Sequence, residues 1–247
     1  MNTWIIMQAR AGSTRLPAKV LKKILGKTVL EHDIERCLRI QNARGIVIAT
    51  TIEDEAEKIV QICRLFPEEK VKYYRGSIED VLSRYYESAL MVQAQTIIRI
   101  TSDCPLLDPP LVDTMMEIFA EKRRQSNPLD YFFNTNPPTF PHGLDVEIFY
   151  FSALERAFRE AKDPYEREHV TPYIRRHPEI FKVENFSQPE NQSSFRWTLD
   201  YPEDLEFISV VYERLYPQNP SFDRHDIVSL LQEHPEIQSI NASRRQR

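Results

Sequence analysis

Three cations and a turn of small residues sit together near the start of the chain, in MQARAGSTRLPAKVL at residues 7–21. Arg10, Arg15 and Lys19 surround Ala11-Gly12-Ser13-Thr14. Such a turn exposes backbone N–H groups that can cup an anion, and the cations add the charge a polyphosphate requires. A loop with solvated cations would explain any one of them. Three around a single Gly-Ser-Thr turn point instead to a polyphosphate site. The five glycines, Gly12, Gly26, Gly45, Gly76 and Gly143, form neither GxGxxG nor GxxxxGK. Side-chain cations must therefore do what glycine-rich backbone does in those motifs.

Acidic residues recur in the later motifs. In RITSDCPLLDP at 99–109, Asp103 follows an apolar run and Asp108 lies five residues on. A carboxylate facing a polyphosphate is repulsive unless a cation intervenes, so Asp103 asks for a metal. Magnesium suits that place, because it takes one or two carboxylates together with water and substrate phosphates. Asp108, before Pro109, reads as a helix-start residue. In FRWTLDYPEDLEF at 195–207, Asp200 follows a short strand and Pro202 opens a helix. Taken alone, Asp200 is a capping candidate.

Two more segments carry clustered polar groups. In PHGLDVEIF at 141–149, a strand would place Asp145 and Glu147 on one face and Val146 and Ile148 on the other. A solvated acidic face and a substrate wall account for that pattern equally well. DPYEREHVTPYI at 163–174 crowds Glu166, Arg167, Glu168 and His169 onto the start of a helix. Surface ion pairs are the ordinary explanation, and the same donors and acceptors would suit a polyhydroxylated ligand.

These residues need a scaffold, and its elements are legible as periodicity. Residues 3–8, 45–50, 70–75 and 96–101 are short runs rich in β-branched and aromatic side chains and read as strands. Between them, Leu30, Ile34, Cys37 and Leu38, then Ala56, Ile59, Val60 and Cys63, then Val81, Leu82, Tyr85, Ala89 and Leu90 have helical spacing. Ser77, with Asp80 three residues on, is a capping arrangement for the third helix. Alternating strands and helices predict right-handed crossovers and a mostly parallel sheet. Ligands bind at the strand carboxyl ends of such sheets, so the loops after residues 8 and 101 share an edge. From about residue 126 to 150 the proline-rich texture predicts an inserted, β-rich segment that leaves the main sheet and covers part of the cleft. Helices are expected again at 152–161, 165–176, 203–216 and 224–233.

The composition narrows the function. A chain of 247 residues with 41% hydrophobic and 28% charged residues is of ordinary globular kind and is expected to form one large domain. A formal net charge of −5 excludes a general basic field for nucleic acid. No apolar run approaches the ~20 residues that span a bilayer, and no secretory signal is evident. Cys37, Cys63 and Cys104 lack CxxC spacing, which suits a reducing cytoplasm.

In this order, the motifs QARAGSTRLPAKVL, GSIEDVLSRYYESA, RITSDCPLLDP, NTNPPTFPHGLDVEIF, DPYEREHVTPYI and RWTLDYPEDLE resemble the cytidylyltransferase family typified by spore coat polysaccharide biosynthesis protein F (SpsF). The family is similar to the enzymes that make CMP-sialic acid and CMP-Kdo. The resemblance implies a Rossmann-like α/β nucleotide-diphospho-sugar transferase fold. It also implies transfer of CMP from CTP to an acidic 2-keto sugar, with release of pyrophosphate, for surface polysaccharide or glycan synthesis. By position, Arg10, Gly12, Ser13, Arg15 and Lys19 match the nucleotide triphosphate loop, and Asp103 and Asp200 match the two acidic positions that hold Mg²⁺. Ser77, Asp80 and Arg84 fall where relatives approach the base or ribose. His142, Asp145, Glu147, Arg167 and His169 would line the acceptor side. The family also implies pairing of two chains through the inserted segment. Three positions depart from the pattern. Ala18 and Ser102 stand where glycine is usual, and Tyr201 replaces a threonine that would cap a helix. A transferase acting on another nucleotide or a sugar phosphate, a nucleotide-sugar glycosyltransferase, and a non-catalytic partner of a polysaccharide pathway are the competing readings.

Overall fold

In the computed structural model, residues 2–13, 15–123 and 129–244 are described. The four expected strands are present as β1 (Thr3–Gln8), β4 (Ile46–Thr51), β5 (Val71–Gly76) and β6 (Thr96–Thr101), all parallel to one another. A two-stranded ribbon, β2 (Lys23–Ile24) and β3 (Lys27–Thr28), stands apart from them. Its turn is made by Leu25 and Gly26, both at positive φ (49° and 84°), the arrangement that matches strand twist in a tight hairpin.

The segment expected to leave the sheet joins it instead. β7 (Tyr131–Phe133) and β8 (Glu147–Tyr150) extend the main sheet, with β8 antiparallel to β6 and β7 antiparallel to β8. β9 (Val183–Asn185) closes that side, giving the order β5-β4-β1-β6-β8-β7-β9 among the described residues. The reason is apolar content on both faces. Phe132 and Ile148 point into one core, whereas Tyr131, Phe133 and Phe149 point into the other. Residues 126–128 of the expected insertion lie outside the described residues.

Strand alternation divides the core in two. Ile5, Met7, Ile48, Ile98 and Ile100 face one side. There they pack under α1 (Val29–Cys37), α2 (Glu57–Cys63), α4 (Pro109–Lys122), α8 (Pro202–Leu215), α9 (Arg224–Glu233) and α10 (Pro235–Ser239). Trp4, Ile6, Val47, Ala49 and Ile97 face the other, beneath α3 (Val81–Met91), α5 (Phe151–Glu160), α6 (Pro164–His169) and α7 (Pro172–Arg176). The result is the expected sheet flanked by helices. No helix among the described residues is long and apolar enough to cross a membrane.

Local signals account for the helix ends. Thr28 and Glu31 form a reciprocal capping box at α1, with Glu31 N–H donating to Thr28 Oγ1 at 3.2 Å and Thr28 N–H donating to Glu31 Oε2 at 2.6 Å. α3 is capped by Asp80 rather than Ser77: Ser83 N–H donates to Asp80 Oδ1 at 2.9 Å, while Ser77 Oγ accepts from Asp80 N–H. The single helix expected over 165–176 is two. Val170 turns the chain at φ 72°, and Pro172 starts a new helix in which its missing N–H costs nothing.

Candidate active site

The loop after β1 folds back on itself through a hydrogen bond from Ala18 N–H to the Ala11 carbonyl (3.2 Å). Gly12 and Ser13 lie on this loop, and Gly12 has open space where a Cβ would stand. Ala18 occupies the left-handed region (φ 52°, ψ 37°), so one of the departures from the family pattern falls where glycine would relieve strain. A short turn, Lys19–Leu21, follows and carries Lys19 back beneath the loop.

Lys19 is the junction of the site. Its Nζ donates to Asp103 Oδ2 at 2.9 Å, to Asp200 Oδ1 at 3.0 Å and to the Leu199 carbonyl at 2.9 Å. The two carboxylates, far apart in sequence, therefore meet on one ammonium group. Backbone bonds fasten their loops together: Leu199 N–H donates to the Asp103 carbonyl at 2.8 Å, and Thr198 Oγ1 to the same oxygen at 3.2 Å. Burial alone would push the Asp103 carboxyl up. The Lys19 charge and hydrogen bonds from Thr101 and Lys19 outweigh it and hold the group below the usual carboxylate value. Burial likewise works against the Lys19 ammonium, but Asp103 and Asp200 raise it above the ordinary lysine value.

Asp200 is held from both sides. Arg15 Nη2 reaches its Oδ1 at 3.1 Å and Arg196 Nη2 its Oδ2 at 3.2 Å. The short strand expected before Asp200 is reduced to an isolated bridge between His142 and Arg196. Capping of α8 passes to Asp204, whose Oδ2 accepts from the N–H groups of Asp200 (2.9 Å) and Tyr201 (3.0 Å). Arg196 clamps Asp204 with two bonds of 2.8 Å. Tyr201, at the position where a capping threonine is usual, offers its ring to Arg15, Arg196 and Arg244 instead. Asp200 thus has its carboxylate available to cations, and the cap is supplied from the next turn.

The other expected residues divide into groups. Arg10 is exposed on the loop, and its charge acts on Arg84. Arg84 itself is 2% exposed and donates to the Ala49 carbonyl at the end of β4 (2.9 Å). It fastens that strand end rather than standing open to a ligand. Asp80 pairs with Arg167 of α6, joining a residue expected on the nucleotide side to one expected on the acceptor side. Arg167 also donates to the Phe158 carbonyl. His142 is placed by backbone bonds with Phe195 and Trp197, and its Nδ1 lies 3.4 Å from Arg196 Nη1. Asp145 is half-buried, and His169 is exposed against the Tyr165 ring.

Glu147 departs from both readings of its strand, the solvated face and the substrate wall. It is 6% exposed and enclosed by Arg99 Nη1 (2.5 Å), Tyr131 Oη (2.7 Å) and Thr171 Oγ1 (3.1 Å). Arg99 stands directly opposite across the β6–β8 pair, so a buried carboxylate is neutralised in place. Asp108 begins α4 as expected but does not cap it through its side chain. Its carboxylate is bound by Arg224 through Nε (3.3 Å) and the backbone N–H (3.3 Å).

Sequence reasoning missed Arg196, Asp204 and Arg99. The signals were present: charges four residues either side of Asp200, and an arginine inside the apolar run of β6. Among the described residues no cluster of three or more His, Cys, Asp or Glu side chains is placed to hold a metal. The Asp103–Asp200 pair already accommodates a positive charge, the Lys19 ammonium. Two carboxylates completed by phosphate and water oxygens are a donor set that fits Mg²⁺.

Comparison with known proteins agrees with this geometry. The chain is 30% identical to the spore coat polysaccharide biosynthesis protein SpsF of Bacillus subtilis over 94% of each. It is 26% identical to the 3-deoxy-manno-octulosonate cytidylyltransferase of Chlamydia trachomatis serovar A, covering 83% of this chain and 80% of that one. A solved cytidylyltransferase structure from Leptospira borgpetersenii superposes with a TM-score of 0.88 at 32% identity, over 96% of both chains. A profile of the cytidylyltransferases matches residues 4–224. On the family match over residues 4–224 and the 30% identity to SpsF, the chain belongs to the SpsF-type cytidylyltransferase family.

Proposed function

We propose that this cytidylyltransferase moves CMP from CTP onto an acidic 2-keto sugar, releasing pyrophosphate, and that it does so with Mg²⁺. The convergence of Asp103 and Asp200 on Lys19 Nζ carries the reading. It brings the two acidic groups and the lysine of the phosphate loop within hydrogen-bond reach of one point at the strand carboxyl ends. The 2-keto acid named by the Chlamydia relative supports the acceptor class.

A sugar hydroxyl, the anomeric 2-hydroxyl in a 2-keto acid, attacks the α-phosphorus of CTP, and the bond to the β-phosphate breaks. Backbone N–H groups around Gly12 and Ser13 cup the phosphates, and Arg10 adds charge at the rim. Lys19 and Arg15 follow the charge that builds on the departing pyrophosphate. With Lys19 engaged by the phosphates, Asp103 and Asp200 would be free to hold the metal. Held by Asp103 and Asp200, Mg²⁺ would supply neutralisation of phosphate charge for the in-line displacement. Positioning and electrostatics carry such a transfer without a covalent nucleophile. The three cysteines fit that account, since all are buried. His142 and Asp145 are the residues assigned to the acceptor in this reading.

The test is pyrophosphate release from CTP and Mg²⁺ with 3-deoxy-manno-octulosonate, a nonulosonate, or neutral sugars and their phosphates. Release with an acidic 2-keto sugar alone is expected. Release with a sugar phosphate alone would overturn the acceptor class and leave the enzyme class standing.

A further inference from the structure

The strand order reverses at one place. The chain runs from β1 to β4 and β5 on one side, then crosses back to β6 on the other. Open α/β sheets bind ligands in the crevice outside the strand carboxyl ends at such a reversal. Gln8 and Thr101 are register partners at that crevice. By strand alternation Gln8 lies on the α3 side of the sheet, in line with Trp4 and Ile6.

Beneath the crevice a chain of hydrogen bonds runs across three strands. Glu147, held by Tyr131 and Thr171, accepts from Arg99 Nη1. Arg99 Nη2 in turn donates to Gln8 Oε1 at 3.2 Å. The Arg99 and Glu147 side chains are only 14% and 8% exposed, so this chain is built into the sheet. A guanidinium can only donate, which settles the orientation of the Gln8 amide. Its oxygen must face Arg99, and the Nε2 end, with N–H donors alone, is the end left for the crevice.

We infer that Gln8 reads the nucleobase, donating from Nε2 to the unprotonated N3 of cytosine, and that Arg99 and Glu147 are positioning residues that lock which end of the amide is presented. The inference rests on the cytidylyl reading of the site. Cytosine N3 accepts a hydrogen bond, whereas uracil carries a proton there, so a locked donor meets another donor in UTP. A site with a fixed, desolvated donor rejects such a mismatch more strongly than a flexible one.

Calorimetric titration of the full chain with CTP and with UTP, both with Mg²⁺, tests the inference. Wild type should prefer CTP. Gln8→Met, similar in volume but without the amide, should lose about tenfold in CTP affinity and most of the preference. Gln8→Glu, which presents acceptors only, should shift the preference toward UTP. Arg99→Lys retains a cation against Glu147 but not the fork that fixes Gln8. It should lower the CTP-to-UTP ratio and leave UTP affinity unchanged, whereas a merely structural role would weaken both nucleotides alike. A Gln8→Met protein with the wild-type ratio would overturn the inference alone. Wild type that binds no CTP would overturn the cytidylyl reading beneath it.

Discussion

The two charged assemblies at the strand carboxyl ends are built on opposite terms. The Lys19–Asp103–Asp200 junction is carried on loops, and only Asp103 (27% exposed) is clearly more open than the groups of the other assembly. The Arg99–Glu147–Tyr131–Thr171 assembly is sealed, on paired strands, with its acceptor oxygens satisfied by three donors. A junction on loops at the cleft can exchange partners, because ligand and water can replace what is broken. A sealed one cannot, because a broken pair leaves a buried charge alone. The difference separates groups that take part in chemistry from groups that hold others in register.

Substitutions should sort along that line. Asp103→Asn is expected to keep the fold and lose at least about 10²-fold in turnover, as for other groups that stabilise transition-state charge. Thermal unfolding alongside steady-state rates checks both halves. Glu147→Gln should do the reverse, destabilising the chain by roughly 3 kcal/mol because Arg99 loses its buried counter-charge. Denaturant titration would show it. Burial pushes the Glu147 carboxyl up, but Arg99 and the hydrogen bonds from Arg99 and Tyr131 hold it below its ordinary value. The stability it contributes is therefore complete above the usual glutamate pKa and is lost as pH falls through the depressed one. Acid unfolding of Glu147→Gln should lack that component.

Lys19→Ala is expected to weaken CTP binding by about tenfold or more, the cost of one charge-assisted contact. It should not unfold the protein, since Asp200 keeps Arg15 and Arg196 and Asp103 keeps its hydrogen bond from Thr101. Unchanged affinity by calorimetry would remove Lys19 from the phosphate site. The smallest effect is expected at Ala18→Gly. Relief of the left-handed backbone, worth about 1–2 kcal/mol, is about half offset by the ~0.5–1 kcal/mol entropic cost of glycine, leaving a melting temperature slightly above wild type.

The junction on loops was legible in the sequence and the sealed one was not. Arg15, Lys19, Asp103 and Asp200 lie in short loop motifs whose residue types announce charge, and the alternation of strands and helices places those loops on one edge. Glu147 misled because a strand's alternation says which residues share a face, not whether that face is covered. Only pairing of β8 with β6 places Arg99 opposite it. The same pairing drew β7 and β8 into the main sheet, a long-range outcome that their two apolar faces permit but do not specify. The division of α6 from α7 was within reach, since Pro172 has no N–H to continue the hydrogen bonding of a helix that began at 164.

Phosphorus NMR of the chain incubated with CTP, Mg²⁺ and an acidic 2-keto sugar tests the central claim most directly, because it reports which phosphate bond breaks. Cleavage between the α- and β-phosphates, with pyrophosphate and a new CMP diester rising together, is the predicted result. Release of inorganic phosphate or CDP, or an unchanged CTP spectrum with every acidic sugar, would contradict it.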